Sequence, residues 1–140
     1  MLSSPLSAQD DPFNSVQELF AAISVVDHDK MAELVTSDFQ LLEVGEVWDI
    51  HELVEAVGAV EAGRRNFFHV IRSTVSGNTA WISYWNKATF PDGEEVRVVA
   101  WLESAILARD GLSWKVQMLH STKIEPEKIP AGTGLTEYKN

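Results

Sequence analysis

With 140 residues, 45% hydrophobic content and a formal charge of −10, the chain has the length of one ordinary domain and enough apolar side chains for a core. Residues 1–62 carry 13 acidic side chains against Lys30 alone (−12), and residues 63–140 carry 8 acidic against 10 basic (+2), so the clustered basic surface that nucleic acid requires is missing. No cysteine is present, which removes disulfides, thiolate nucleophiles and cysteine-based metal sites, and no apolar run approaches the length that spans a bilayer.

The opening "MLSSPLSAQDDP" reads in two ways. It is a short flexible arm over residues 1–12, or the stub of an export signal, because "LSA" before Gln9 has the small-residue look of a cleavage site although no basic or apolar region precedes it. Compartment therefore stays open: cytoplasm by default, periplasm on the second reading.

From residue 13 to 124 the pattern predicts a single domain, helices first and strands afterwards. "NSVQELFAAISVVD" starts a helix at Asn14 or Ser15 as N-cap, with Val16, Leu19, Phe20 and Ile23 at helical spacing. "HDKMAELV" continues as a short second helix after a bend near Asp27. "SDFQLLEVGEVWD" is extended and broken at Gly45 by a turn or bulge. Asp49 caps a third helix, "IHELVEAVGAVEAG", which Gly63 is expected to terminate.

Four segments rich in β-branched and aromatic residues follow: "RRNFFHVIRSTV", "TAWISYWNKATF", "EEVRVVAWLESAILA" and "SWKVQMLHSTKI". "SGN", "PDG" and "RDGL" separate them, and hairpin-length connections of this kind imply sequential antiparallel pairing. Helices then cover one face of the sheet, an α+β arrangement. Residues 125–140, with two Pro and two Gly in a polar setting, read as an irregular tail. Two strands carry large apolar residues on both faces. Ile82 and Tyr84 oppose Trp81 and Trp85, while Val98, Ala100 and Leu102 oppose Val99 and Trp101. A sheet wet on one side should alternate cleanly, so a second cover is expected, either from the chain itself or from a second subunit forming a homodimer through the outer sheet face.

In "SWKVQMLHST", strict alternation puts Trp114, Val116, Met118 and His120 on one face, an apolar row that ends in a histidine. The whole pattern resembles the nuclear transport factor 2-like (NTF2-like) superfamily, in particular SnoaL-like and DUF4440-type domains and the association-domain branch. "GEVWDIHEL" and "RDGLSWKVQMLHST" carry this most specifically, with Gly111, Trp114, His120, Ser121 and Thr122 at the places where the family has Gly, Trp and a His-Ser/Thr close. Met118 stands where many members have a second His. The resemblance implies a cone-shaped, cystatin-like fold, three N-terminal helices on a strongly curved, mainly antiparallel sheet, with a pocket at the wide end and commonly a homodimer.

That implication puts His120 near the pocket floor, where an imidazole can exchange protons near neutral pH. Glu103, interrupting the apolar "AWLESA", is its best partner, because a buried carboxylate demands a donor; the pair is the tentative catalytic set. Should the Glu103 face point outward, it becomes an interface residue instead. Trp48, His69, Tyr84 and Trp101 join His120 as ligand-binding candidates, aromatic walls being typical of small-molecule cavities. His51 is expected at the surface. Specific family chemistries fit poorly. No Tyr lies in the first helix for a ketosteroid isomerase-type oxyanion site, Met118 replaces the second His of a scytalone dehydratase-like site, and no Asp lies in "VRVVAWLESAILA" for an epoxide hydrolase-like set. Four scattered His show no ligand spacing, so neither metal nor cofactor is expected. The leading expectation is a small-molecule-binding domain for an unidentified organic ligand. The alternatives are a SnoaL-like lyase, isomerase or cyclase using His120, and a non-catalytic dimerisation or association module; whether it is an enzyme is left open.

Overall fold

The computed structural model describes residues 11–58 and 63–138. Helix α1 spans Pro12–Ser24 and starts earlier than expected. Asp11 rather than Asn14 or Ser15 is its N-cap, accepting the Phe13 N–H at 3.0 Å, and Pro12 takes the first helical position, where a missing N–H leaves nothing unpaired. Val16, Leu19, Phe20 and Ile23 face the core as their spacing requires. The helix closes without a glycine. The Val26 N–H bonds to Ile23 C=O at 3.1 Å and the Asp27 N–H to Ala22 C=O at 2.9 Å, the two bonds of a Schellman motif. Val26 holds the left-handed φ of 57° that glycine usually supplies there, while its side chain packs against the core. Helix α2 (His28–Glu33) follows at once, capped by Asp27.

Helix α3 (Ile50–Ala56) begins in a reciprocal capping box: the Asp49 carboxylate accepts the Glu52 N–H at 2.9 Å and the Glu52 carboxylate accepts the Asp49 N–H at 3.1 Å. It stops at Val57, whose backbone is already extended, and does not reach Gly63; residues 59–62 of the expected helix lie outside the described residues.

Strands β1 (Val35–Glu43) and β2 (Glu46–Trp48) form a hairpin across Val44 and Gly45, with φ of 53° and 74°, the pair of positive values that a two-residue type I′ connection needs. Strands β3 (Arg65–Ser76), β4 (Thr79–Asp92), β5 (Glu95–Asp110) and β6 (Ser113–Ile124) pair antiparallel in sequence across the expected turns. Beyond Pro126–Lys128, a 3-10 turn, the tail supplies β7 (Thr136–Glu137), which pairs with Phe67 and Phe68 of β3. Arg65 clasps Glu137 with two hydrogen bonds of 2.8 and 2.7 Å, and Tyr138 packs against the core.

The expectation of a strongly curved, cone-forming sheet needs correction. Among the described residues seven strands run in the order β2-β1-β6-β5-β4-β3-β7, an open array that is neither closed nor strongly curled. It is mixed, because β1 lies parallel to β6, which hairpin counting cannot reveal: that pair joins the first strand to the last of the meander. What holds is an α+β fold, with three α-helices and one sheet among the described residues. Phe13 of α1 sits edge-on to Tyr84 and Phe68, with ring centroids 4.9 and 5.5 Å away, and fixes the helix on the inner face. Ile82, Tyr84, Ala105 and Leu107 are fully buried beneath it. On the opposite face Trp81 and Leu102 keep 49% and 40% of their surface exposed, while their cross-strand partners Ile106 and Trp85 are half-buried.

Candidate functional site

A cleft of about 370 Å³ opens between the C-terminal half of α1, helix α3 and the inner face of β5 and β6. Phe20, Leu53, Trp48 and Trp101 give it apolar walls, and the carboxylate of Glu103 and hydroxyl of Ser121 face it from the sheet. Alternation along β5 places Arg97, Val99, Trp101 and Glu103 on this face, with Glu103 deepest in the core.

Only four polar or charged residues are buried among the described residues, Asn66, Asn86, Glu103 and Ser121, and one hydrogen-bond chain joins them all. Arg64 Nε donates to Asn66 Oδ1 at 3.0 Å, Asn66 Nδ2 to Asn86 Oδ1 at 2.9 Å, and Asn86 Nδ2 to Glu103 Oε1 at 3.1 Å. Ser121 Oγ donates to the other carboxylate oxygen, Oε2, at 2.6 Å. Every donor is directed towards Glu103, so the chain runs from a guanidinium to a carboxylate and each dipole reinforces the next. The strand register makes this possible: Tyr84, Glu103, Ser121 and Glu43 are successive cross-strand neighbours on β4, β5, β6 and β1.

Burial pushes the Glu103 carboxyl above its ordinary range, while the Ser121 and Asn86 donors pull it back down, helped by Tyr84 and the Arg64 charge. Tyr84, pushed well up by its own burial and then by Glu103, is fully buried beside that carboxylate, its hydroxyl without a well-directed acceptor. The Arg64 guanidinium lies 5.4, 5.2 and 5.3 Å from the ring centroids of Phe20, Phe90 and Trp101, so its charge is held at the cleft wall by aromatic faces. Trp101 Nε1 donates to Glu43 at 2.9 Å, which orients the indole along the opening.

His120 does not join this site. Gln117 is an extra residue in β6: Ile106 and Leu107 are consecutive on β5, yet pair with Met118 and Val116. This β-bulge reverses the alternation, so Leu119 and Ser121 turn inward and His120 is exposed on the outer side, opposite Ser104. The expected Glu103–His120 pair is therefore not formed. His69 is also exposed, its Nδ1 3.0 Å from the Gly134 carbonyl of the tail, and His51 is exposed at the start of α3. Tyr84 belongs to the core beside Glu103 and not to the cleft wall, whereas Trp48 and Trp101 do line the cleft. Sequence reasoning missed Asn66, Asn86 and Ser121. Asn86 carried a signal, since it continues the inward row of Ile82 and Tyr84 and a buried amide there requires partners; Ser121 was hidden by the bulge. No cluster of three potential metal-ligating side chains occurs among the described residues.

No family model matches the chain, and no curated protein matches it either. Solved structures do. The association domain of C. elegans CaMKII superposes with a TM-score of 0.67 at 17% identity, covering 79% of this chain and 92% of that one. A ketosteroid isomerase-like protein from Erwinia carotovora atroseptica gives 0.66 at 18% identity, over 86% and 98% of the two chains. An NTF2-like protein with a cystatin-like fold from Novosphingobium aromaticivorans gives 0.68 at 17%, over 84% of each. At these identities the likeness is one of fold: the chain has the NTF2-like, cystatin-like architecture.

Proposed function

We propose that this protein is a self-association module whose outer sheet face is the assembly surface. The observation that carries the reading is the apolar row of Trp81, Trp85, Leu102 and Ile106 on the face opposite the helices, where Trp81 and Leu102 remain substantially exposed. Trp85 pairs with Leu102 and Trp81 with Ile106 across adjacent strands, two apolar pairs on one face with the Ser83–Ser104 pair between them. A second copy is the occupant that fits, because a two-fold axis sets an apolar patch against itself without demanding any other surface, and the fold is one that a kinase association domain also uses. Light scattering coupled to size-exclusion chromatography tests it. The wild-type chain elutes as a dimer or larger assembly at micromolar concentration, and Leu102→Glu converts it to a monomer with unchanged circular dichroism. A monomeric wild type, or an assembly indifferent to Leu102→Glu and Trp81→Glu, defeats the reading.

A second reading is supported by a different observation: the buried network delivers an acceptor, Glu103, to a cleft with aromatic walls, the usual composition of a small-molecule site. On this reading the cleft binds a small organic molecule. If it also works in the manner of a SnoaL-like or DUF4440-type enzyme, Glu103 and not His120 moves the proton. Fragment screening by NMR, reading the Trp101 indole N–H, tests this, since shifts at that resonance are expected and their absence across a broad library counts against it.

A further inference from the structure

The charges on the cleft wall are mixed in sign. Around Trp101 alone, the Arg64 guanidinium lies over the ring, Glu43 accepts the indole N–H, and Lys123 stands opposite on β6. Arg97 and Lys123 are exposed, so water screens them and they offer a ligand little. The faces of Phe20, Phe90 and Trp101, which would attract a ligand cation, already hold Arg64. The interior is simpler. Glu103, 4% exposed, is the one charged residue buried among the described residues, and it lines the cleft together with the buried side chains of Phe20, Leu41, Leu53 and Leu119. Its carboxylate has about four acceptor positions, of which Asn86 Nδ2 and Ser121 Oγ take one on each oxygen. Both donors are neutral, and so is the Tyr84 hydroxyl beside them, which burial keeps protonated.

We infer that the cleft takes a small neutral ligand of the phenol or alcohol class, its hydroxyl donating to Glu103 and its apolar body packing on Phe20, Leu53 and Trp48. This rests on the second reading above, that the cleft holds a small molecule. A neutral O–H fills an open acceptor position of Glu103 without bringing a charge against a wall of both signs, and a hydrogen bond to a buried carboxylate is of the stronger, charge-assisted kind. The apolar body supplies the buried area that one hydrogen bond does not. A carboxylic acid would set its anion against Glu103. An ammonium ion would give up its hydration where the aromatic faces are already taken by Arg64.

The test uses the intact chain and four matched probes: 4-ethylphenol, 4-ethyltoluene, in which a methyl group of similar size replaces the hydroxyl, 4-ethylbenzoate and 4-ethylbenzylamine. Dissociation constants come from NMR titration of the Trp48 and Trp101 indole N–H resonances. The phenol is expected to bind at least about tenfold more tightly than each of the other three, although the toluene is the more hydrophobic. Glu103→Gln, checked for folding by circular dichroism, is expected to cut the preference for phenol over toluene to about threefold or less. The wild-type comparison stands without that variant. Equal binding of phenol and toluene overturns the hydroxyl class while leaving a small-molecule cleft, and tighter binding of the acid or the amine does the same. A folded Glu103→Gln protein that keeps the full preference removes Glu103 as the acceptor and overturns the inference. If none of the four probes shifts either resonance, the inference fails, and fragment screening decides separately whether the cleft reading fails with it.

Discussion

Asn86→Leu breaks the buried hydrogen-bond chain at its middle. The substitution keeps the branched shape and the number of side-chain heavy atoms but removes the donor to Glu103 Oε1 and the acceptor for Asn66 Nδ2, at a position with no solvent exposure. Losing a hydrogen bond to a charged acceptor costs about 1.5–3 kcal/mol, and the orphaned Asn66 donor adds about 1–3 kcal/mol. Burying the new isobutyl group returns about 1–2 kcal/mol. These terms leave a net destabilisation near pH 7 of about 0.5–5 kcal/mol, centred near 3 kcal/mol, a large share of the stability of an ordinary domain. Urea unfolding reads it as a lower midpoint at unchanged slope.

The pH dependence carries further information. Burial holds the folded-state pKa of Glu103 above its unfolded value. Below the unfolded value both states are protonated and the group contributes no difference. As pH rises between the two values the unfolded chain ionises first and the native state loses stability, and above the folded pKa this cost is complete. Removing the Asn86 donor raises the folded pKa further, so Asn86→Leu is more destabilising at neutral pH than at pH near the ordinary carboxylate range. A destabilisation below about 0.5 kcal/mol, or one independent of pH, refutes the claim that Asn86 supports an ionised Glu103.

The bulge at Gln117 makes neighbouring residues differ sharply. His120→Ala should change stability by less than about 0.5 kcal/mol, whereas Ser121→Val, which strips Glu103 Oε2 of its donor, should cost about 1.5–3 kcal/mol; the reverse ranking in thermal melts would restore His120 to the interior. Val44 is 80% exposed and held at a φ of 53°, so Val44→Asn should stabilise by about 1 kcal/mol in urea unfolding without altering the fold. Asp49→Ala removes half of the α3 capping box and should cost about 1 kcal/mol, with amide exchange accelerated at Glu52 before it is accelerated in the sheet.

Much of the architecture follows from local chemistry, which is why it was legible in the chain. The spacing of Val16, Leu19, Phe20 and Ile23 makes a helix with one buried face, and Asp49 followed by Glu52 starts α3 at a defined residue. "SGN", "PDG" and "RDGL" fix three hairpins and hence the order β3-β4-β5-β6. The alternation of Ile82 and Tyr84 against Trp81 and Trp85 assigns the inner and outer faces of β4. These are properties of a few consecutive residues and need no distant contact.

The site was decided elsewhere. The bulge at Gln117 depends on how β6 sits between β5 and β1, and it alone turns His120 out and Ser121 in. The early end of α3 at Val57, the parallel pairing of β1 with β6 and the openness of the sheet are likewise set by packing between segments far apart in sequence. Glu103 was marked by the sequence as an anomaly in an apolar strand, but its partners come from β3, β4 and β6, and only the tertiary register brings Asn66, Asn86 and Ser121 to it. A sequence states which polar groups must find partners once buried; which partners they find depends on strand register, and a shift of one residue reverses every side chain beyond it.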